Sequence, residues 1–217
     1  PYGTQTVLGT QEHLKNPSIT NIKNYYKKWY VPNNMAICMS GDFDFDEAMD
    51  IIEKYFGDMQ PNPELQMMSF EPEAEITEPI VREVWGLESE RVALAWRFPG
   101  AASDEALMLS VISAIMSNGQ AGLLDLNLMQ EQKPLSAYAF PYDQTDYTAY
   151  FMQGSPKQGQ SLDEVKELLL AQIDALRRGD WDESLLAAGI ANYKLQVQQM
   201  LEDNSSRADL FVTSFVN

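Results

Sequence analysis

One cysteine and one histidine stand in 217 residues. Cys38 alone excludes an internal disulfide framework and a cysteine-cluster metal site. His13 alone leaves no imidazole pair for a metal and no spare histidine for Ser/His/Asp catalysis. Basic side chains are also scarce, 15 against 32 acidic ones, for a formal charge of -17. Phosphate binding needs a positive field, so nucleic acid is excluded as a partner. The acidity itself reads in two ways, as a solubilising surface or as a field that draws basic peptides. No run of about 18 apolar residues is present to form a membrane-spanning helix, and no membrane partner is expected. No basic-then-apolar segment opens the chain. Gly-x-Gly phosphate loops are missing as well.

What is present is a chain that is 45% hydrophobic, enough to bury a core. Residues 1–9 suit a loop. Ser18 or Thr20 can cap a helix in which Ile22, Tyr25, Tyr26 and Trp29 fall at i, i+3, i+4 and i+7, one apolar face. Pro32 and Asn33-Asn34 stop it. Met35 to Ser40 is a short apolar run between turn residues and predicts a buried strand, with Cys38 inside it as a structural thiol rather than a nucleophile. Asp44 with Glu47 predicts a capping box; Ile51, Ile52, Tyr55 and Phe56 form the apolar face, and Gly57 suits a left-handed cap. Asp42, Asp44 and Asp46, with Glu53 eleven residues after the first, mimic calcium-loop spacing. Glu47 stands where such a loop needs Gly, and Phe43 and Phe45 interrupt the polar ligands. Turn and helix-cap roles fit these acids better.

Asp58 to Pro79 holds four prolines, six acidic residues and no basic one, the composition of a linker. Its patch Met67-Met68-Ser69-Phe70 is expected to dock on a neighbouring surface, because burying each large side chain is worth about 1.5 to 3 kcal/mol. Candidate strands follow near Ile80 to Trp85 and Arg91 to Phe98, then a helix from Ser103 that Asn118-Gly119 should end. A helix near Gln120 to Gln130 precedes a hairpin of Leu135 to Tyr142 and Tyr147 to Gln153. Ser161 with Glu164 caps a helix striped by Leu162, Val165, Leu169, Ile173 and Leu176 and closed at Arg177-Arg178-Gly179. Asp180 with Glu183 starts another to about Leu201, and Ala208 to Val216 is a last apolar helix.

Two side-chain groupings bear on binding. Met108, Met116, Met129 and Met152 lie inside predicted elements and read as packing, whereas Met67 and Met68 are better placed for a mobile contact. Tyr138, Tyr142, Tyr147 and Tyr150 gather at the hairpin, consistent with cross-strand packing or with peptide recognition. No catalytic constellation is found.

Tyr2-Gly3, Leu8-Gly9, Trp29-Tyr30, Pro32-Asn33-Asn34-Met35, Gly41-Asp42, Asp44 and Tyr55-Phe56-Gly57 resemble, in this order, the M16 family of insulinase, pitrilysin and mitochondrial processing peptidase. Phe98-Pro99, the helix from Asp104, Asn118-Gly119, Leu123-Leu124 and the closing helices resemble its C-terminal, inactive domain. The resemblance implies an α+β fold, an α/β sandwich in which a mostly antiparallel sheet packs with helices. It implies that 1–58 closes a first unit, 59–79 links, and 80–217 forms most of a second, non-catalytic unit. With Pro1 opening the chain in mid-pattern, an internal segment is expected. The family's zinc motif, His-x-x-Glu-His with a later Glu, lies ahead of residues 1–9. No catalytic or metal residue is therefore expected here, and zinc is expected in the parent chain, a zinc metalloendopeptidase. The expected role is to wall the substrate chamber and position peptides, with peptide and the catalytic unit of the same chain as partners; a catalytically dead scaffold or partner subunit is the alternative. An acidic peptide-binding module working alone is a third reading. A bacterial periplasm or envelope location is implied by the same resemblance. Some relatives hold substrate with an Arg and a Tyr seven residues later; Tyr138 matches the Tyr as a substrate contact, while Glu131 occupies the Arg position.

Overall fold

A computed structural model describes residues 8–67 and 69–216. The chain splits into two compact units, Pro1–Ile80 and Val81–Asn217. Tyr2-Gly3 and Met68 lie outside the described residues.

In the first unit, α1 (Gln11–Lys15) and α2 (Ile19–Trp29) lead to a 3-10 turn at Pro32–Asn34 and to α3 (Phe45–Phe56). Ser18 caps α2 by accepting from the Asn21 N–H, and Asp44 caps α3 by accepting from the Glu47 N–H at 2.9 Å. Asn33 and Asn62 exchange hydrogen bonds of 2.8 and 3.0 Å, and Asn62 also donates to the Lys28 carbonyl, tying the proline-rich segment to the end of α2.

Several expectations fail here for one physical reason. A strand exists only through its ladder, and no described segment of this unit supplies a partner, so Met35 to Ser40 runs without strand hydrogen bonding and Cys38 is only half-buried. The apolar faces of α2 and α3 stay exposed at Ile22, Tyr25, Tyr26, Ile51 and Tyr55. Met67 and Phe70 are exposed rather than docked. Gly57 is right-handed, not left-handed, and its N–H continues the helix to the Glu53 carbonyl.

The second unit is α+β. Strands β1 (Val92–Pro99), β2 (Ser136–Asp143) and β3 (Tyr147–Ser155) form an antiparallel sheet of order β1-β3-β2. The hairpin register sets Tyr138 opposite Gln153, Phe140 opposite Phe151 and Pro141 opposite Tyr150. Across the other side of β3, Ala95 faces Phe151 and Arg97 faces Ala149. The expected strand at Ile80 to Trp85 does not form; Val84 and Trp85 are almost fully exposed, with no partner strand beside them among the described residues.

Helices α4 (Asp104–Met116) and α5 (Leu162–Arg178) pack on this sheet. Ser103 and Ser161 cap them, the latter in a full capping box with Glu164, and Gly179 closes α5 in the left-handed conformation. The fully buried Leu124, Leu128, Met152, Val165 and Leu169 form the core between helices and sheet. The helix expected near Gln120 to Gln130 forms over Asp125–Gln130 as a π-helix. Helix α6 (Ser184–Glu202) packs on α4, and α7 (Asn204–Val216) packs on α6. At the start of α6 it is the Asp182 carboxylate, rather than Asp180 or Glu183, that accepts from the Ser184 N–H. No helix among the described residues is long and apolar enough to cross a membrane.

Candidate functional site: the open face of the sheet

Strand alternation divides the sheet into two unlike faces. Val92, Leu94, Trp96, Phe98, Ala137, Ala139, Tyr150 and Met152 point into the core under the helices. The opposite face carries Ala93, Ala95 and Arg97 from β1, Tyr147, Ala149, Phe151 and Gln153 from β3, and Tyr138, Phe140 and Tyr142 from β2. These residues are half-buried or exposed.

Aromatic rings organise that open face. Phe140 stacks on Phe151 at 5.5 Å between centroids and on Tyr138 at 6.0 Å, each pair within 19° of parallel. Such offset pairs add about 0.5 to 1.5 kcal/mol beyond area burial, so the rings stand as a fixed ridge. The Tyr138 hydroxyl donates to the Gln153 Oε1 at 2.9 Å and remains exposed. Glu131 is exposed on the turn after the π-helix. At the other end the Arg97 guanidinium lies over the Tyr147 ring, 4.9 Å from its centroid. Sequence patterning grouped four tyrosines; the pleat separates them, leaving Tyr138, Tyr142 and Tyr147 on the open face and turning Tyr150 inward. Arg97 and the two phenylalanines carried no sequence signal, because a single Arg or Phe in a strand is ordinary until its neighbours across the sheet are known.

Tyr150 illustrates the other face. Its hydroxyl is buried without a hydrogen-bond partner, beside a Ser113 hydroxyl that donates to the Ala139 carbonyl. Burial pushes the phenol up to about 12, against a weaker lowering by Ser113. The unfolded chain then ionises first, so this contribution is complete below pH 10 and is lost as pH rises from about 10 to about 12. The loss amounts to about 2 to 3 kcal/mol. Tyr150→Phe is expected to flatten that part of the alkaline stability profile and to leave neutral-pH stability equal or higher by about 1 kcal/mol, since it removes an unpaired buried hydroxyl. Parallel denaturant titrations from pH 8 to 12 check this; identical slopes for both proteins would contradict it.

The donor set does not fit zinc. His13, the one imidazole, accepts from the Thr10 N–H through Nδ1 at 3.2 Å, and Asp44 is committed to its helix cap. No group of three metal-competent side chains exists among the described residues.

Residues 18–193 match the family model of the peptidase M16 inactive domain. The chain belongs to the M16 peptidase family. It is 21% identical over 220 residues to the zinc protease PqqE of Helicobacter pylori, covering 97% of this chain and 48% of that protein. The chain thus spans about half the length of this curated M16 relative. A Helicobacter pylori protease structure superposes with a TM-score of 0.77 at 19% identity, over 96% of this chain and 51% of that one. An inactive peptidase domain from Bordetella parapertussis gives 0.50 at 18% identity, over 57% of this chain and 67% of that one. The M16 match is to a non-catalytic domain, in keeping with a donor set that lacks paired imidazoles.

Proposed function

We propose that this chain is the non-catalytic part of a longer M16 zinc peptidase, and that its open sheet face walls the substrate chamber and positions an extended peptide. The observation that carries this reading is the contrast between the two faces of one sheet. Helices cover one face, while the other holds a fixed ridge of aromatic rings where a free-standing sheet surface favours polar residues. Tyr138, with an apolar ring and an exposed hydroxyl, serves as a peptide contact. Hydrolysis belongs to a zinc-bearing unit of the same polypeptide, because the residues described here hold neither a base paired with zinc-bound water nor the ligands for it.

The test uses the full-length protein with a chelator present, so that binding is read without turnover. A labelled ten-residue apolar peptide is expected to bind Phe140→Ala/Phe151→Ala at least about tenfold more weakly than wild type, a loss of about 1.4 kcal/mol. Equal affinities, with the variant's circular dichroism unchanged, would refute the assignment.

A further inference from the structure

Neighbouring rows across the open face differ in chemistry. In one row Ala93 of β1, Gln153 of β3 and Tyr138 of β2 stand side by side; in the next stand Ala95, Phe151 and Phe140. A hydrogen-bonded polar pair thus adjoins the stacked phenylalanines, two residues along the same strands. Both rows end on β1 in an alanine, and both alanines are exposed. The surface steps down there to a floor of methyl groups, flanked by the Gln153 carboxamide and the Phe151 ring.

The hydrogen-bonding capacity of Gln153 is only partly used. Its Oε1 accepts from the Tyr138 hydroxyl at 2.9 Å, which fixes one branch of the carboxamide. The other branch, Nε2, carries two N–H groups for which no described residue is an acceptor. Gln153 is half-buried and its Nε2 is not sealed from solvent, so these donors are open to a ligand. Tyr138 stands on the β2 side of Gln153, and on the β1 side the Ala93 methyl has no polar atom to compete for them. An extended peptide offers main-chain carbonyls whatever its side chains. Its two-residue repeat of about 6.8 Å matches the spacing of Gln153 and Phe151 along β3.

We propose that Gln153 donates through Nε2 to a main-chain carbonyl of the bound peptide, which lies extended over Ala93 and Ala95 with an apolar side chain against Phe140 and Phe151. Tyr138 is then a positioning residue as well as a ring contact, because its hydroxyl occupies the Oε1 branch and leaves the donors for the ligand. This rests on the open face being the peptide surface and adds what that surface reads. It reads an extended backbone and one apolar side chain. Main-chain hydrogen bonds give affinity that is independent of sequence, so such a site takes many peptides rather than one.

The test again uses the full-length protein with a chelator. A labelled ten-residue apolar peptide is compared with a series in which each backbone amide in turn is replaced by an ester, whose carbonyl is a weaker acceptor. Wild type is expected to bind at least one ester member about three- to tenfold more weakly than the parent peptide. Gln153→Met, similar in length but without a donor, is expected to bind the parent peptide more weakly by a similar factor and to abolish the penalty at that position. Unchanged circular dichroism shows that the variant is folded. Tyr138→Phe keeps the ring and is expected to reduce the same penalty. Ester penalties that are equal in wild type and Gln153→Met, or absent from both, together with weakening by Phe140→Ala/Phe151→Ala, would overturn the Gln153 assignment alone. Lack of any weakening in the aromatic variant would overturn the peptide surface itself. A penalty left unchanged by Tyr138→Phe would overturn the positioning role of Tyr138.

Discussion

Asp125→Ala is expected to release the loop between α4 and the π-helix, at a local cost of about 3 to 5 kcal/mol. One buried carboxylate oxygen, Oδ2, accepts from the N–H groups of Asn118, Gly119 and Gly122 at 2.9, 2.9 and 3.0 Å. Alanine would leave three donors unpaired, each at about 1 to 3 kcal/mol where water cannot reach, partly offset where the loop opens to solvent. Asn118 is the second layer of the same turn, its Oδ1 accepting from Gln120 and Ala121 N–H. Amide exchange at Asn118, Gly119 and Gly122 is the direct readout and should accelerate by at least a hundredfold in the alanine variant. Asp125→Asn, which keeps an acceptor but not the charge, should fall between alanine and wild type. Unchanged protection at all three amides would show that the carboxylate does not hold the loop.

A second large effect is expected where α5 crosses β3. A Cβ added at Gly154 would lie 2.6 Å from Val165 Cγ1 and 3.2 Å from the Ser136 carbonyl oxygen, and Val165 is fully buried. Gly154→Ala must therefore push α5 off the sheet or force Val165 from its rotamer, at about 1 to 3 kcal/mol. Val165→Ala alone opens a small void and should also destabilise, by about 1 to 3 kcal/mol. Together the two changes exchange a methyl across the same contact, so the double variant should be at least about 1 kcal/mol more stable than the sum of the singles. Denaturant titration followed through the sheet's tryptophan, Trp96, measures all four corners of the cycle. Strict additivity would mean that the close approach at Gly154 exerts no strain on Val165.

How much of this architecture was readable beforehand follows the range of the forces involved. Helix caps at Ser18, Asp44, Ser103 and Ser161, the Gly179 stop and the β2–β3 hairpin all depend on residues a few positions apart, and each stands where local chemistry puts it. Met35 to Ser40 and Ile80 to Trp85 have strand-like residues but lack ladder partners among the described residues, which no local pattern reveals. At the candidate site, family resemblance pointed to Tyr138 alone, as an expected contact. The ridge formed by Phe140 and Phe151 needed the cross-strand register, and Arg97 needed the knowledge that β1, some fifty residues away in sequence, pairs with β3. The four tyrosines at the hairpin could be grouped but not divided between the faces, because proximity in sequence says nothing about pleat parity unless the register is known.

Pro141 interrupts one edge of the sheet. It lies in β2, opposite Tyr150, and a proline has no N–H to donate, so that strand's outer edge has a gap in its donors at mid-length. The edge of β1 has no proline before Pro99, its last residue. Among the described strands, the edge that proline interrupts at mid-length is therefore that of β2. One imino acid thus guards the hairpin side against edge-to-edge aggregation.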